Sequence, residues 1–314
     1  MRRAVAGVCL GALVGAAVLI AQEVTLRVEV DIVSILFAVR EKKGGLVANL
    51  TKDDFTLFED GKQQTIKYFS KETDLPLTLG LLVDVSRSQE NLIGIEKQAA
   101  AQFFSQVLRP KDMAFLIQFG SEAELLQDLT GSQKLLRDGL ENLRVIAQVG
   151  SFNPGPVPTA NRAKGTILYD AVYLAATDRL RGEVGRKAMV IITDGADMGS
   201  KYKIEEAVEA AQRSDAIIYG VYYVDNYNYM GDQGALKRMA NETGGRVFTV
   251  DRKHTLKDIF DEIQAEMRSQ YAIGYTPTNG AKDGTFRKIE IKTANKDLKV
   301  QARKGYYATP VQPH

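Results

Sequence analysis

Residues 77–88 read Leu-Thr-Leu-Gly-Leu-Leu-Val-Asp-Val-Ser-Arg-Ser, an apolar run that stops at a cluster of small oxygen-bearing side chains. A strand that is apolar on both faces belongs in the middle of a parallel sheet covered by helices on each side. In open α/β sheets, ligands bind at the carboxyl ends of such strands. Asp84, Ser86 and Ser88 therefore stand where a ligand site is expected. One carboxylate with two hydroxyls is an oxygen donor set that suits magnesium or manganese over zinc or copper. The plainer alternative has Ser86 and Ser88 capping a helix that starts at Gln89.

Two further segments can complete the same site. Residues 165–171, Gly-Thr-Ile-Leu-Tyr-Asp-Ala, place the Thr166 hydroxyl just before a helical pattern, and residues 189–195, Met-Val-Ile-Ile-Thr-Asp-Gly, form a second apolar strand ending in Asp194. On its own, Asp194 with Gly195 is also a turn signal, and Asp170 reads equally as an acid orienting the Thr166 loop or as an ordinary first-turn acid. Ser200 is expected to cap the following helix. Helices that follow parallel strands point their partly positive N-termini at this edge, so carboxylates are needed to hold a cation there. Only Asp84 and Asp194 would face it. The metal is then not over-neutralised and keeps a position for another anionic oxygen.

With these residues in this order the chain resembles the von Willebrand factor type A (vWA) domain family, and more closely its secreted bacterial branch. The resemblance implies a metal-ion-dependent adhesion (MIDAS-type) site on Asp84, Ser86, Ser88, Thr166 and Asp194. The two serines and Thr166 would ligate the metal, and the two aspartates would act largely through bound water. It further implies Mg2+, with Mn2+ or Ca2+ as alternatives, and a protein partner that donates an Asp or Glu to the metal. Arg87 stands where the family often has glycine and adds positive charge beside the cation.

The fold class expected is α/β, a doubly wound, mostly parallel, Rossmann-like sheet with an accessory β-sandwich-like module. Between residues 75 and 270 strands and helices alternate as such a domain requires. Strands are expected near 113–119, 124–128, 188–193, 216–224 and 246–250. Helices are expected near 91–108, 132–143, 169–180, 204–213, 234–242 and 255–269. Residues 23–74 form an N-terminal β module, with Val28, Val30, Ile32, Ile35, Phe37 and Val39 extended. Asp60-Gly61 makes a hairpin whose return strand carries Ile66, Tyr68 and Phe69. Residues 271–308 alternate at period two and are expected to pack with the N-terminal module; two separate small sheets are the alternative.

Composition limits the remaining choices. The chain has 314 residues, 45% hydrophobic and 25% charged, enough for a substantial core. Arg2 and Arg3 account for the formal charge of +2, so nothing argues for nucleic acid. Residues 1–22, a charged start followed by an apolar stretch and Leu19-Ile20-Ala21, read as a signal peptide, which places the protein in the periplasm or outside the cell. A membrane is expected only if that segment stays uncleaved as an anchor. The single cysteine, Cys9, lies inside it.

Residues 149–164, rich in Gly and Pro, are a candidate recognition loop at the functional edge, with a disordered insertion as the alternative; the tyrosine-rich run of Tyr222, Tyr223, Tyr227 and Tyr229 after a strand is a second, with Tyr222 and Tyr223 expected to continue the strand and at least one of their rings to lie in the core. Asp225 reads as a loop acid.

Enzymatic readings find little support. The only histidines are His254 and His314, no Gly-x-Ser-x-Gly elbow or phosphate-binding loop occurs, and zinc ligands are lacking. A magnesium phosphatase would want a second acid where Ser86 stands. The expectation is a non-enzymatic adhesion or complex-assembly protein without a small-molecule substrate. The alternative is a structural envelope-complex protein with a vestigial metal site.

Overall fold

The computed structural model describes residues 32–71, 75–145, 165–223 and 231–309. The expected signal segment 1–22, Val28 and Val30, the loop 149–164, and Asp225, Asn226, Tyr227, Asn228 and Tyr229 lie outside them. In chain order the elements are β1 (Val33–Glu41), β2 (Phe55–Glu59), β3 (Lys62–Gln64), β4 (Tyr68–Lys71), β5 (Leu77–Asp84), α1 (Ile93–Val107), β6 (Met113–Phe119), β7 (Ala123–Thr130), α2 (Gln133–Glu141) and α3 (Leu168–Leu174). There follow β8 (Arg186–Thr193), α4 (Ile204–Arg213), β9 (Ala216–Tyr222), α5 (Gln233–Thr243), β10 (Val247–Thr249), α6 (Leu256–Arg268), β11 (Tyr271–Tyr275), β12 (Phe286–Thr293), β13 (Leu298–Ala302) and β14 (Gly305–Tyr307).

The fully buried β5 lies inside a six-stranded sheet of order β10-β9-β8-β5-β6-β7. It pairs in parallel with β6 on one side and β8 on the other. Odd-numbered Leu79, Leu81 and Val83 face one helix layer, built from Phe103 and Phe104 of α1, Leu136 and Leu140 of α2, and Ile259, Phe260 and Ile263 of α6. Leu82 faces the other, with Leu168, Ala171 and Val172 of α3, Ala207 of α4 and Leu236 of α5. Each fully buried aliphatic or aromatic side chain contributes about 1.5–3 kcal/mol. Gly80 is needed for close packing, since a Cβ there would sit 2.4 Å from the Phe115 ring.

The edge strand β7 is antiparallel to β6, not parallel. Only residues 120–122 connect the two, and a link that short can close a hairpin but cannot make a crossover. The helix expected over 169–180 is α-helical to Leu174 and widens to a π-helix over Ala175–Leu180. A 3-10 turn, Arg87–Gln89, precedes α1.

The segments flanking this sheet form two antiparallel sheets, β13-β1-β11-β4 and β14-β12-β2-β3. Ile35 pairs with Ile273 and Leu57 with Ile291. Their inner faces share one core of Ile35, Phe37, Val39, Leu57, Tyr271, Ile273 and Ile291. Asp60 and Gly61, with φ of 48° and 77°, supply the left-handed backbone that a two-residue hairpin needs. The return strand differs from expectation: β3 ends at Gln64, and Tyr68 and Phe69 belong to β4 in the opposite sheet. The chain crosses between sheets at buried Ile66, and Lys67 N donates to Gly274 O at 2.8 Å.

Candidate metal centre

The carboxyl ends of β5 and β8 lie side by side, with Val83 paired to Ile192, so the next residues bring Asp84 and the pair Thr193-Asp194 to one edge. Asp84 is fully buried. Its Oδ1 accepts from Ser86 N at 2.9 Å, and its Oδ2 accepts from the Thr193 hydroxyl at 2.6 Å. Thr193 Oγ1 in turn accepts from Gly195 N at 2.9 Å. Burial pushes the Asp84 carboxyl from an ordinary 3.8 up to about 6, against the hydrogen bonds from Thr193 and Ser86 and with the nearby negative charge of Asp194 adding to the rise.

Ser86 and Ser88 are half-buried, and their hydroxyl oxygens lie 2.9 Å apart. Ser86 precedes the 3-10 turn, yet its side chain makes no capping bond. The two hydroxyls are not spent on the helix start. Arg87, between them, turns its side chain to solvent.

Thr166 sits on the same edge. Its carbonyl accepts from Met198 N and Gly199 N at 3.0 and 3.1 Å, which laces its loop to the one after Asp194, and Ile167 N donates to Gly120 O beyond β6. Asp194 is nearly fully buried; its Oδ1 accepts from Ala196 N at 3.0 Å, and Gly195 adopts φ 79°. The turn expected for Asp194-Gly195 is thus present and uses one carboxylate oxygen.

The neighbouring acids stiffen this frame. Asp170 Oδ1 accepts from Lys201 N and Tyr202 N at 2.8 and 2.9 Å, tying α3 to the loop after β8. Ser200, expected to cap α4, instead donates to Asp197 Oδ1 at 2.5 Å and accepts from Asp170 N at 3.1 Å. Lys203 is the N-cap residue. The Asp170 carboxylate already satisfies the loop amides, so the helix starts later. Tyr222 and Tyr223 are both partly buried, packed against opposite layers of the core.

Sequence reasoning passed over Thr193, Gln89 and Glu96. Thr193 had a visible signal, a hydroxyl directly before Asp194 at the end of an apolar strand. Gln89 and Glu96 are fully buried behind the edge.

This donor set fits a hard divalent cation. A buried carboxylate already strained toward protonation by burial and by a second carboxylate is stabilised by a neighbouring positive charge, and the paired hydroxyls are neutral oxygen donors.

Among the described residues no helix is long and apolar enough to cross a membrane. The chain is 20% identical over 232 residues to an uncharacterized protein of Borreliella burgdorferi, covering 68% of this chain and 59% of that protein, so it spans less than two thirds of that relative's length. Among solved structures it is similar to proximal thread matrix protein 1 of the mussel byssus, in a form with a zinc-occupied MIDAS motif. That match has a TM-score of 0.51 and 12% identity, and covers 67% of this chain and 50% of the other. It is also similar to the conserved hypothetical protein BatB of Bacteroides thetaiotaomicron, with a TM-score of 0.46 and 17% identity over 61% of this chain and 97% of the other. These likenesses concern the fold. The family model of the von Willebrand factor type A domain matches residues 79–262, more than half of the 314 residues, and the chain belongs to that family, whose domain is typically an interaction module.

Proposed function

We propose that Asp84, Ser86, Ser88, Thr166 and Asp194 bind a divalent cation, magnesium before manganese or calcium, and that the protein is an exported, non-enzymatic binding protein for adhesion or complex assembly. The bound cation supplies a Lewis-acidic position for an Asp or Glu carboxylate of a protein partner. Asp84 and Asp194 supply the charge that holds it, while Ser86, Ser88 and Thr166 supply neutral oxygens. The observation that carries this reading is the buried Asp84 carboxylate, next to the charge of Asp194, beside two serine hydroxyls 2.9 Å apart that cap no helix. The zinc-occupied MIDAS motif of the mussel protein supports divalent binding on this fold.

The test is calorimetric titration of the full-length chain with magnesium, manganese and calcium, wild type against Asp194→Ala, followed by chelator-reversible binding of acidic peptides to the loaded protein. One cation bound by wild type and lost in the variant supports the reading. No binding at millimolar cation sinks it and moves the weight to an assembly role for the β-sheet segments.

A further inference from the structure

Met198 is 70% exposed, and no large apolar side chain among the described residues is more so. It stands in the loop after β8, shortly beyond Asp194, and belongs to none of the three apolar cores. Its backbone is locked onto the segment that carries Thr166: Met198 N and Gly199 N both donate to Thr166 O, at 3.0 and 3.1 Å. Glycine lets the two segments close on each other. A Cβ on Gly165 would lie 2.4 Å from Met198 Cβ, and one on Gly199 would lie 2.6 Å from Gly165 O. The Met198 side chain therefore starts over Gly165, beside Thr166, and runs out into solvent.

Burying an apolar side chain of that exposure is favourable, and a thioether on a flexible, unbranched stem packs against side chains of different shape. A partner that places a carboxylate on a cation at this edge brings the residues beside that acid to the same rim, since consecutive Cα atoms lie about 3.8 Å apart. At the end of β5 the exposed Arg87 adds positive charge, so the edge as a whole suits an acidic segment with an apolar neighbour. We propose that Met198 selects the partner: the protein segment that donates its Asp or Glu to the cation carries a large apolar side chain next to that acid, which packs on the Met198 thioether. The inference rests on the divalent reading, because the acid is what brings the segment to this edge.

The experiment titrates the full-length protein, in magnesium, into three peptides observed by NMR: Gly-Gly-Leu-Asp-Leu-Gly-Gly, Gly-Gly-Gly-Asp-Gly-Gly-Gly and Gly-Gly-Leu-Asn-Leu-Gly-Gly. Leucine on both sides makes the result independent of chain direction. Wild type should bind the leucine-flanked aspartate about tenfold tighter than the glycine-flanked one, and the asparagine peptide should not bind. Met198→Ser should bind magnesium as wild type does in calorimetry and hold the glycine-flanked peptide equally well, yet lose the leucine preference. Met198→Leu should keep it. A preference that persists in Met198→Ser, or one that wild type lacks, overturns the proposal. Binding of the asparagine peptide as tightly as the aspartate one does so too, as does loss of magnesium binding in Met198→Ser, which would put the side chain's effect on the cation site. Magnesium binding by wild type without binding of the leucine-flanked peptide overturns this proposal alone, whereas no magnesium binding by wild type sinks the cation reading and the proposal with it.

Discussion

The Thr193 hydroxyl donates to Asp84 Oδ2 at 2.6 Å while accepting from Gly195 N at 2.9 Å, so one side chain joins the ends of β5 and β8 and the turn that carries Asp194. Both bonds are buried, and the one to the carboxylate is charge-assisted.

Thr193→Val keeps the volume and removes both bonds. It leaves a buried carboxylate oxygen and the Gly195 amide short of a partner, at a cost of about 1.5–3 kcal/mol in urea unfolding. Thr193 is outside the five candidate ligands, yet it orients two of them. Divalent affinity should therefore fall about tenfold or more, as when an outer partner of a metal ligand is lost. Unchanged stability and unchanged affinity would show that the bridge positions nothing.

Asp84 makes the metal-free protein sensitive to pH in a defined direction. Its carboxyl rises on folding from 3.8 to about 6, so between those values the native state binds more protons than the unfolded one. The contribution of Asp84 to stability therefore falls as pH rises through that window, by about 3 kcal/mol in all, with the loss complete above it. Asp84→Asn should flatten this part of the profile and be the more stable protein at pH 7 in chelator. Divalent cation should cancel the loss in wild type only. Matching wild-type and Asp84→Asn profiles across pH 4–7 in chelator would refute the assignment.

What could be read from sequence follows how local each feature is. The strand of β5 and the trio Asp84, Ser86 and Ser88 lie within a few residues, and the unbroken apolar run marks a doubly covered strand before any fold is known. The bridge from Thr193 to Asp84 needs the register of β5 on β8, which is tertiary information. Glu96 is opaque for another reason: a glutamate on a helix normally reads as solvent-facing, and only the packing of α1 buries it. The crossing at Ile66 and the late start of α4 likewise depend on partners far away in the chain, Gly274 and Asp170.

Gly195 is required by its backbone. At φ 79° a side chain is already strained, and a Cβ would meet Asp232 O at 2.3 Å. Gly195→Ala should cost about 2 kcal/mol or more in urea unfolding and push the Asp194 turn off its position, weakening cation binding in calorimetry. A variant as stable and as tight-binding as wild type would mean that the loop moves freely and that Asp194 is not held for a ligand.

Glu266 tests the join between the vWA domain and the flanking β-sheets. Its carboxylate, on α6, is fully buried. Oε2 accepts from Arg40 Nη2 at 2.6 Å and from Arg246 Nε at 2.9 Å, and Oε1 accepts from Gln301 Nε2 at 3.1 Å. Arg40 belongs to β1 and Gln301 to β13, whereas Arg246 precedes β10, so one carboxylate fastens three elements from two sheets. Removing it leaves Arg40 without its carboxylate partner, while Arg246 keeps Glu262 Oε2 at 2.7 Å, and breaking such a pair costs about 3 kcal/mol. Glu266→Ala should lower the melting temperature sharply, and Arg40→Met in that background should cost much less than it does alone, because its partner is already gone. Cation affinity at the far edge of the sheet should stay at its wild-type value in any Glu266 variant that still folds. Additive losses from Glu266→Ala and Arg40→Met would mean that the two side chains contribute independently.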